Sequence, residues 1–95
     1  MEDVVKIVEI DGRNFELREP PGYEVDLFVM RYYDKDMQPI PEKIADANVH
    51  LIKMCFGLPE DEIKKLPNRI YRKLLNEAAA YFIETTKPGG DEGKK

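Results

Sequence analysis

Apolar and polar positions change period three times along the chain, and each change predicts an element. Val4 to Ile10 reads VVKIVEI, a β-branched run in which Val5, Ile7 and Glu9 alternate with Val4, Lys6, Val8 and Ile10. Asp11-Gly12 follows, a pair suited to a hairpin turn because glycine accepts positive φ without a Cβ clash. From Phe15 to Glu19 apolar and charged residues alternate, the period of a half-buried return strand. A β-hairpin is therefore predicted over residues 4–19. Two strands alone leave an apolar face uncovered, so other elements must pack on it.

Pro20-Pro21-Gly22 ends the second strand, since proline donates nothing to a ladder. Beyond it Val25, Phe28, Val29, Tyr32 and Tyr33 recur at helical spacing, which predicts a helix over about 22–33. Asp34 to Pro41 reads as a turn. Pro41-Glu42 opens a second helix, over about 41–56, with an apolar stripe of Ile44, Ala47, Leu51, Met54 and Cys55. Gly57 stands at its end, where a left-handed residue is needed, and Leu58 is placed to fold back onto the last turn. Glu60, Asp61 and Glu62 suit the first turn of a short helix over 60–66 that ends at Pro67. A last helix over about 68–85 carries Ile70, Tyr71, Leu74, Leu75, Ala78, Ala79, Phe82 and Ile83, and its alanines permit another helix to approach closely. The expected fold is α+β: an N-terminal β-hairpin packed on a bundle of three to four helices, one domain over residues 1–86, with residues 87–95 as a disordered tail.

Composition narrows the function classes. In 95 residues there is one histidine and one cysteine, which excludes an internal disulfide framework and a cysteine-cluster zinc site. His50 and Cys55, five residues apart, lie about 140° from each other around a helix and do not face one ligand. No glycine-rich loop follows a strand in a phosphate-cradling arrangement. Catalytic residues, metal and cofactor are accordingly not expected. No apolar run has the length of a membrane span, and Met1-Glu2-Asp3 carries the wrong charge for a secretory signal, so a cytoplasmic protein is expected.

Charge is unevenly distributed. Residues 1–36 hold five basic and ten acidic side chains, residues 37–95 ten and nine. The acidic front half argues against nucleic acid as a partner of the whole domain. A local basic cluster of Lys64, Lys65, Arg69, Arg72 and Lys73 fits a contact surface for an acidic partner or a nucleic-acid backbone, and equally a solvated helix face. A small nucleic-acid-binding regulator using this cluster is the alternative assignment, although no base-edge reader such as Asn or Gln is interleaved with the cations. The end of the first helix is adhesive on nearly every side: Phe28, Val29 and Tyr32 are expected in the core, while Met30, Tyr33 and Met37 are candidates to stay exposed and bind another protein.

The order of elements also resembles a known family. A strand–turn–strand leading into LREPPGYEVDLF (Leu17 to Phe28), followed by LIKMCFGLPEDEIKKLPNRIYRKLLNEAAAYF (Leu51 to Phe82), is similar to small tail assembly chaperones of tailed bacteriophages and prophages. The most telling piece is GLPEDEIKKLP, Gly57 to Pro67, of the kind that separates the last two long helices in that family. The resemblance implies a protein that acts in the host cytoplasm, without ATP or metal, by binding the long helical tape-measure protein before tail-tube subunits polymerise around it. It carries over no catalytic residue, and Gly57, Leu58, Leu66 and Pro67 only as structural positions. On this reading Met30, Tyr33, Met37, Lys65, Arg69, Arg72 and Lys73 contact the client. Ala78, Ala79, Tyr81 and Phe82 mediate packing between copies of a homo-oligomer.

Overall fold

The computed structural model describes residues 4–86, so the expected tail at 87–95 lies outside the described residues. The sequence order of local signals becomes β1 (Val4–Ile10), β2 (Arg13–Arg18), α1 (Gly22–Tyr32), a 3-10 turn (Pro41–Lys43), α2 (Ile44–Phe56), α3 (Glu60–Lys64) and α4 (Asn68–Thr86). This is the α+β arrangement that the periodicity predicts.

The strands pair antiparallel, with Ile10 opposite Arg13, Val8 opposite Phe15 and Lys6 opposite Leu17. Asp11 and Gly12 both take positive φ, 54° and 80°, as a two-residue hairpin turn that follows the strands' own twist requires. The register shifts between Val4 and Lys6. Val8, Ile10, Phe15 and Leu17 are buried, whereas Val4, Val5 and Ile7 remain exposed. The inner face therefore belongs to the set that includes Lys6, whose Nζ donates to Glu77 on α4 at 2.8 Å.

Helix α2 is the hub, packing against α1, α3, α4, β2 and the 3-10 turn. Its buried residues are Leu51, Ile52, Cys55 and Phe56. Neighbours on several sides widen and rotate the stripe expected from periodicity: Ile52 is fully buried, and Ile44, placed in the core by spacing alone, is exposed. The predicted helix over 41–56 also starts differently. Pro41–Lys43 forms a separate 3-10 turn in which Lys43 N–H donates to Ile40 O, and α2 begins at Ile44.

Aromatic rings pack edge-on within the single core. Phe28 meets Phe82 at 5.2 Å and 73°, and Phe15 of β2 meets Phe56 of α2 at 6.5 Å and 87°, geometries that align positive ring edges with negative faces. Gly57 ends α2 at φ 69°, ψ 19°, its N–H donating to Lys53 O. That reversal brings half-buried Leu58 against the core and starts α3, whose buried Ile63 points the same way.

Candidate functional site

Among the described residues, two of the grooves beside α1 and α2 carry exposed apolar side chains. The more apolar has a volume of about 310 Å³ and lies between the α1–α2 connection, α2 and α4. Tyr33, Pro39 and Ile40 line it from the connection, Ala47 and Leu51 from α2, and Ala79 and Phe82 from α4. Ile44 and Ile83 also line it and stay exposed, Ile83 at 61%. Since α2 and α4 already use their inner faces on each other, these two isoleucines are left uncovered among the described residues.

The connection that supplies one side is closed by its own hydrogen bonds. Asp34 Oδ1 accepts from Asp36 N–H at 2.9 Å and Gln38 N–H at 3.0 Å. The backbone closes on itself as Asp34 N–H donates to Gln38 O and Ile40 N–H to Tyr32 O, and Tyr33 bridges Pro39. At its tip Met37 adopts φ 62°, a conformation that costs a side-chain-bearing residue about 1–2 kcal/mol. Met37 is also 60% exposed, so the strain holds a large, adaptable thioether in solvent.

The second groove is wider and mixed, about 740 Å³, with Leu27, Met30 and Met54 beside Arg31, Lys43 and Lys53. Met30 is 76% exposed. With Tyr23 and Leu27, also exposed, it forms an i, i+4, i+7 stripe on the outer side of α1. That stripe was readable in the sequence from its spacing opposite Phe28 and Tyr32, but its direction needed the position of α2. His50 stands between Arg31 and Lys53; its Nδ1 shares a 3.2 Å hydrogen bond with Tyr32 Oη. Burial, reinforced by the Arg31 and Lys53 charges, holds its imidazole below the ordinary histidine range.

The predicted contact residues are thus divided. Tyr33 lines the apolar groove but is half-buried, its ring 6.3 Å from Phe28. Met37 extends from the connection that forms one side of that groove, whereas Met30 opens onto the other. Ala78 and Phe82, expected to pack between copies, are both buried in the chain's own core, Ala78 completely, and Phe82 also lines the apolar groove. The close helix approach that the alanines permit is made within the chain, by α2. Ala79 and Tyr81 are half-buried against the same core, and burial first, then Glu19, raises the Tyr81 phenol.

The basic cluster is largely matched inside the molecule. Lys64 pairs with Glu60 at 3.2 Å, Lys73 with Glu77 at 3.6 Å, and Arg69 with Asp11 of the hairpin turn. Arg72 lies over the Tyr71 ring and donates from Nε to Asn68 Oδ1. Lys65 is exposed. The hydrogen bond from Lys6, aided by the charges of Lys6 and Lys73, lowers the Glu77 carboxyl despite some burial.

Cys55 is buried and its thiol is pushed up to about 11 by desolvation. Among the described residues no group of three or more His, Cys, Asp or Glu side chains could hold a metal ion, and no helix is long and apolar enough to cross a membrane. Comparison with protein-family models, curated proteins and solved structures finds no match to this chain.

Proposed function

We propose that this chain is a small tail assembly chaperone, binding the tape-measure protein and further copies of itself in the host cytoplasm, and making or breaking no covalent bond. The observation that carries the reading is the apolar groove between α2 and α4, with Ile44 and Ile83 exposed on it and Met37 held out beside it. An amphipathic helix presents apolar side chains at i, i+3, i+4 and i+7, and a groove of this shape receives such anchors. A long helix with an uncovered stripe self-associates in water. Coating it with copies of a domain of net charge −4 shields the stripe and adds repulsion between coated helices. Weak individual contacts suffice where many copies share one client.

The nucleic-acid alternative is less well supported, because Lys64, Arg69 and Lys73 already face carboxylates of this molecule. Co-expression with tape-measure helical segments, followed by co-purification, tests the proposal. Ile83→Asp and Ile44→Asp are expected to abolish co-purification while leaving the melting curve within the few tenths of a kcal/mol usual for surface changes. Retained binding in both variants refutes the groove as the client site. Salt-sensitive DNA binding by the unmodified chain, with no client bound, refutes the chaperone assignment itself.

A further inference from the structure

We infer that the free edge of β1 pairs with the β1 edge of a second copy, antiparallel and centred on Ile7, to form a four-stranded sheet ordered β2-β1-β1-β2. The inference stands apart from the groove and from any client, since it uses only the hairpin.

The two edges of the hairpin are differently defended. A two-residue turn closes on a hydrogen-bonded pair, here Ile10 with Arg13, so hydrogen-bonded pairs continue at Val8–Phe15 and Lys6–Leu17. The backbone groups that point away from the hairpin are therefore those of Ile7 and Glu9 on β1, and of Asn14 and Glu16 on β2. On β2 that edge carries polar and charged side chains, with Arg18 paired to Glu16, the usual protection of an exposed edge. On β1 it carries Ile7, 52% exposed, beside exposed Val4 and Val5. No third strand borders the hairpin among the described residues. The regular part of β1, Lys6 to Ile10 beyond the register shift, has one carboxylate and no proline, and its one ammonium, on Lys6, is drawn to Glu77 on the inner face, which leaves this stretch open as a template for pairing.

The strand's own residues select the partner and the register. In a two-fold antiparallel pair, opposed residues must share a sheet face, so the axis passes through a residue and not between two. Centring on Lys6 sets two ammonium groups opposite each other, and centring on Glu9 two carboxylates; both are unfavourable. Centring on Val8 sets each Ile7 against a Glu9. Centring on Ile7 sets isoleucine against isoleucine in a hydrogen-bonded pair, and sets Glu9 opposite Val5 of the other copy, where the register shift already interrupts the ladder. Of these four registers the one centred on Ile7 alone opposes two exposed apolar side chains and no like charges. One short strand edge buries less area than stable interfaces do, about 1,200–2,000 Å², so the dimer is reversible and concentration-dependent.

Sedimentation equilibrium and cross-linking with an ethylene-bridged bis-maleimide test the inference. The unmodified chain should show a monomer–dimer equilibrium by about 1 mM protein, and Ile7→Lys should raise its dissociation constant by about tenfold or more. Ile7→Cys should cross-link to itself, because opposed Cα atoms sit about 5.5 Å apart. Glu9→Cys should not, its two copies lying about 13 Å apart along the strands. Buried Cys55 serves as the internal control and should give no product. A chain that is monomeric throughout, a dimer insensitive to Ile7→Lys, or equal cross-linking at positions 7 and 9 overturns the inference. Should Ile7→Lys fail to fold, the cysteine pair decides alone.

Discussion

Replacing Gly57 by alanine isolates one backbone term with little else changing. Gly57 sits at φ 69° at the end of α2, in the region where a Cβ crowds the following carbonyl by about 1–2 kcal/mol. A Cβ built at this position meets no heavy atom within 4 Å, so no packing penalty adds to the backbone cost. Alanine is also less flexible than glycine in the unfolded chain, which offsets part of that cost, and the net destabilisation is expected near 1 kcal/mol. In a domain of this size that lowers Tm by about 4–8 °C. Urea unfolding should show a lower midpoint with unchanged slope, and the series should rank Gly57 above Gly57→Asn, Gly57→Ala and Gly57→Val. Asparagine tolerates the left-handed region better than alanine, and a β-branched side chain tolerates it least. A Gly57→Ala melt that coincides with the unmodified protein would refute the claim that this cap fixes the turn from α2 into α3.

Met37 supplies the converse case: Met37→Gly relieves the same strain at φ 62° and should leave stability unchanged or raised by up to about 1 kcal/mol, while weakening tape-measure binding in a pull-down. Equal binding by that variant would remove Met37 from the contact surface. For His50 the folded pKa lies below the unfolded value, so the unfolded chain takes up more protons as pH falls. Folding stability should be full above about pH 6.5 and decline as pH drops through the folded pKa; urea midpoints across that window should slope for the unmodified chain and flatten for His50→Gln. The Glu77 carboxyl titrates in a separate, more acidic window: its lowered pKa adds stability above its unfolded value that is lost on further acidification.

The parts of this molecule that local chemistry specifies were legible from residues alone. Asp11-Gly12 turns the hairpin because both positions need positive φ, and Pro20-Pro21 stops β2 because it cannot continue a ladder. Gly57 closes α2, and Glu60 to Glu62 start α3 against the positive end of its dipole. Each of these depends on neighbours within a few positions in the chain. Tertiary structure decided which apolar residues are covered. Periodicity gives the width of a helix stripe but not its phase against neighbours that arrive from elsewhere. Ile52, Ala78 and Phe82 are therefore interior while Ile44 and Ile83 face a groove. The same holds for charge: Arg69 finds Asp11 58 residues away and Lys6 finds Glu77 71 residues away. A basic run in sequence becomes a set of matched pairs only when packing brings hairpin and helix together, because an ion pair depends on distance in space and the chain order does not set that distance.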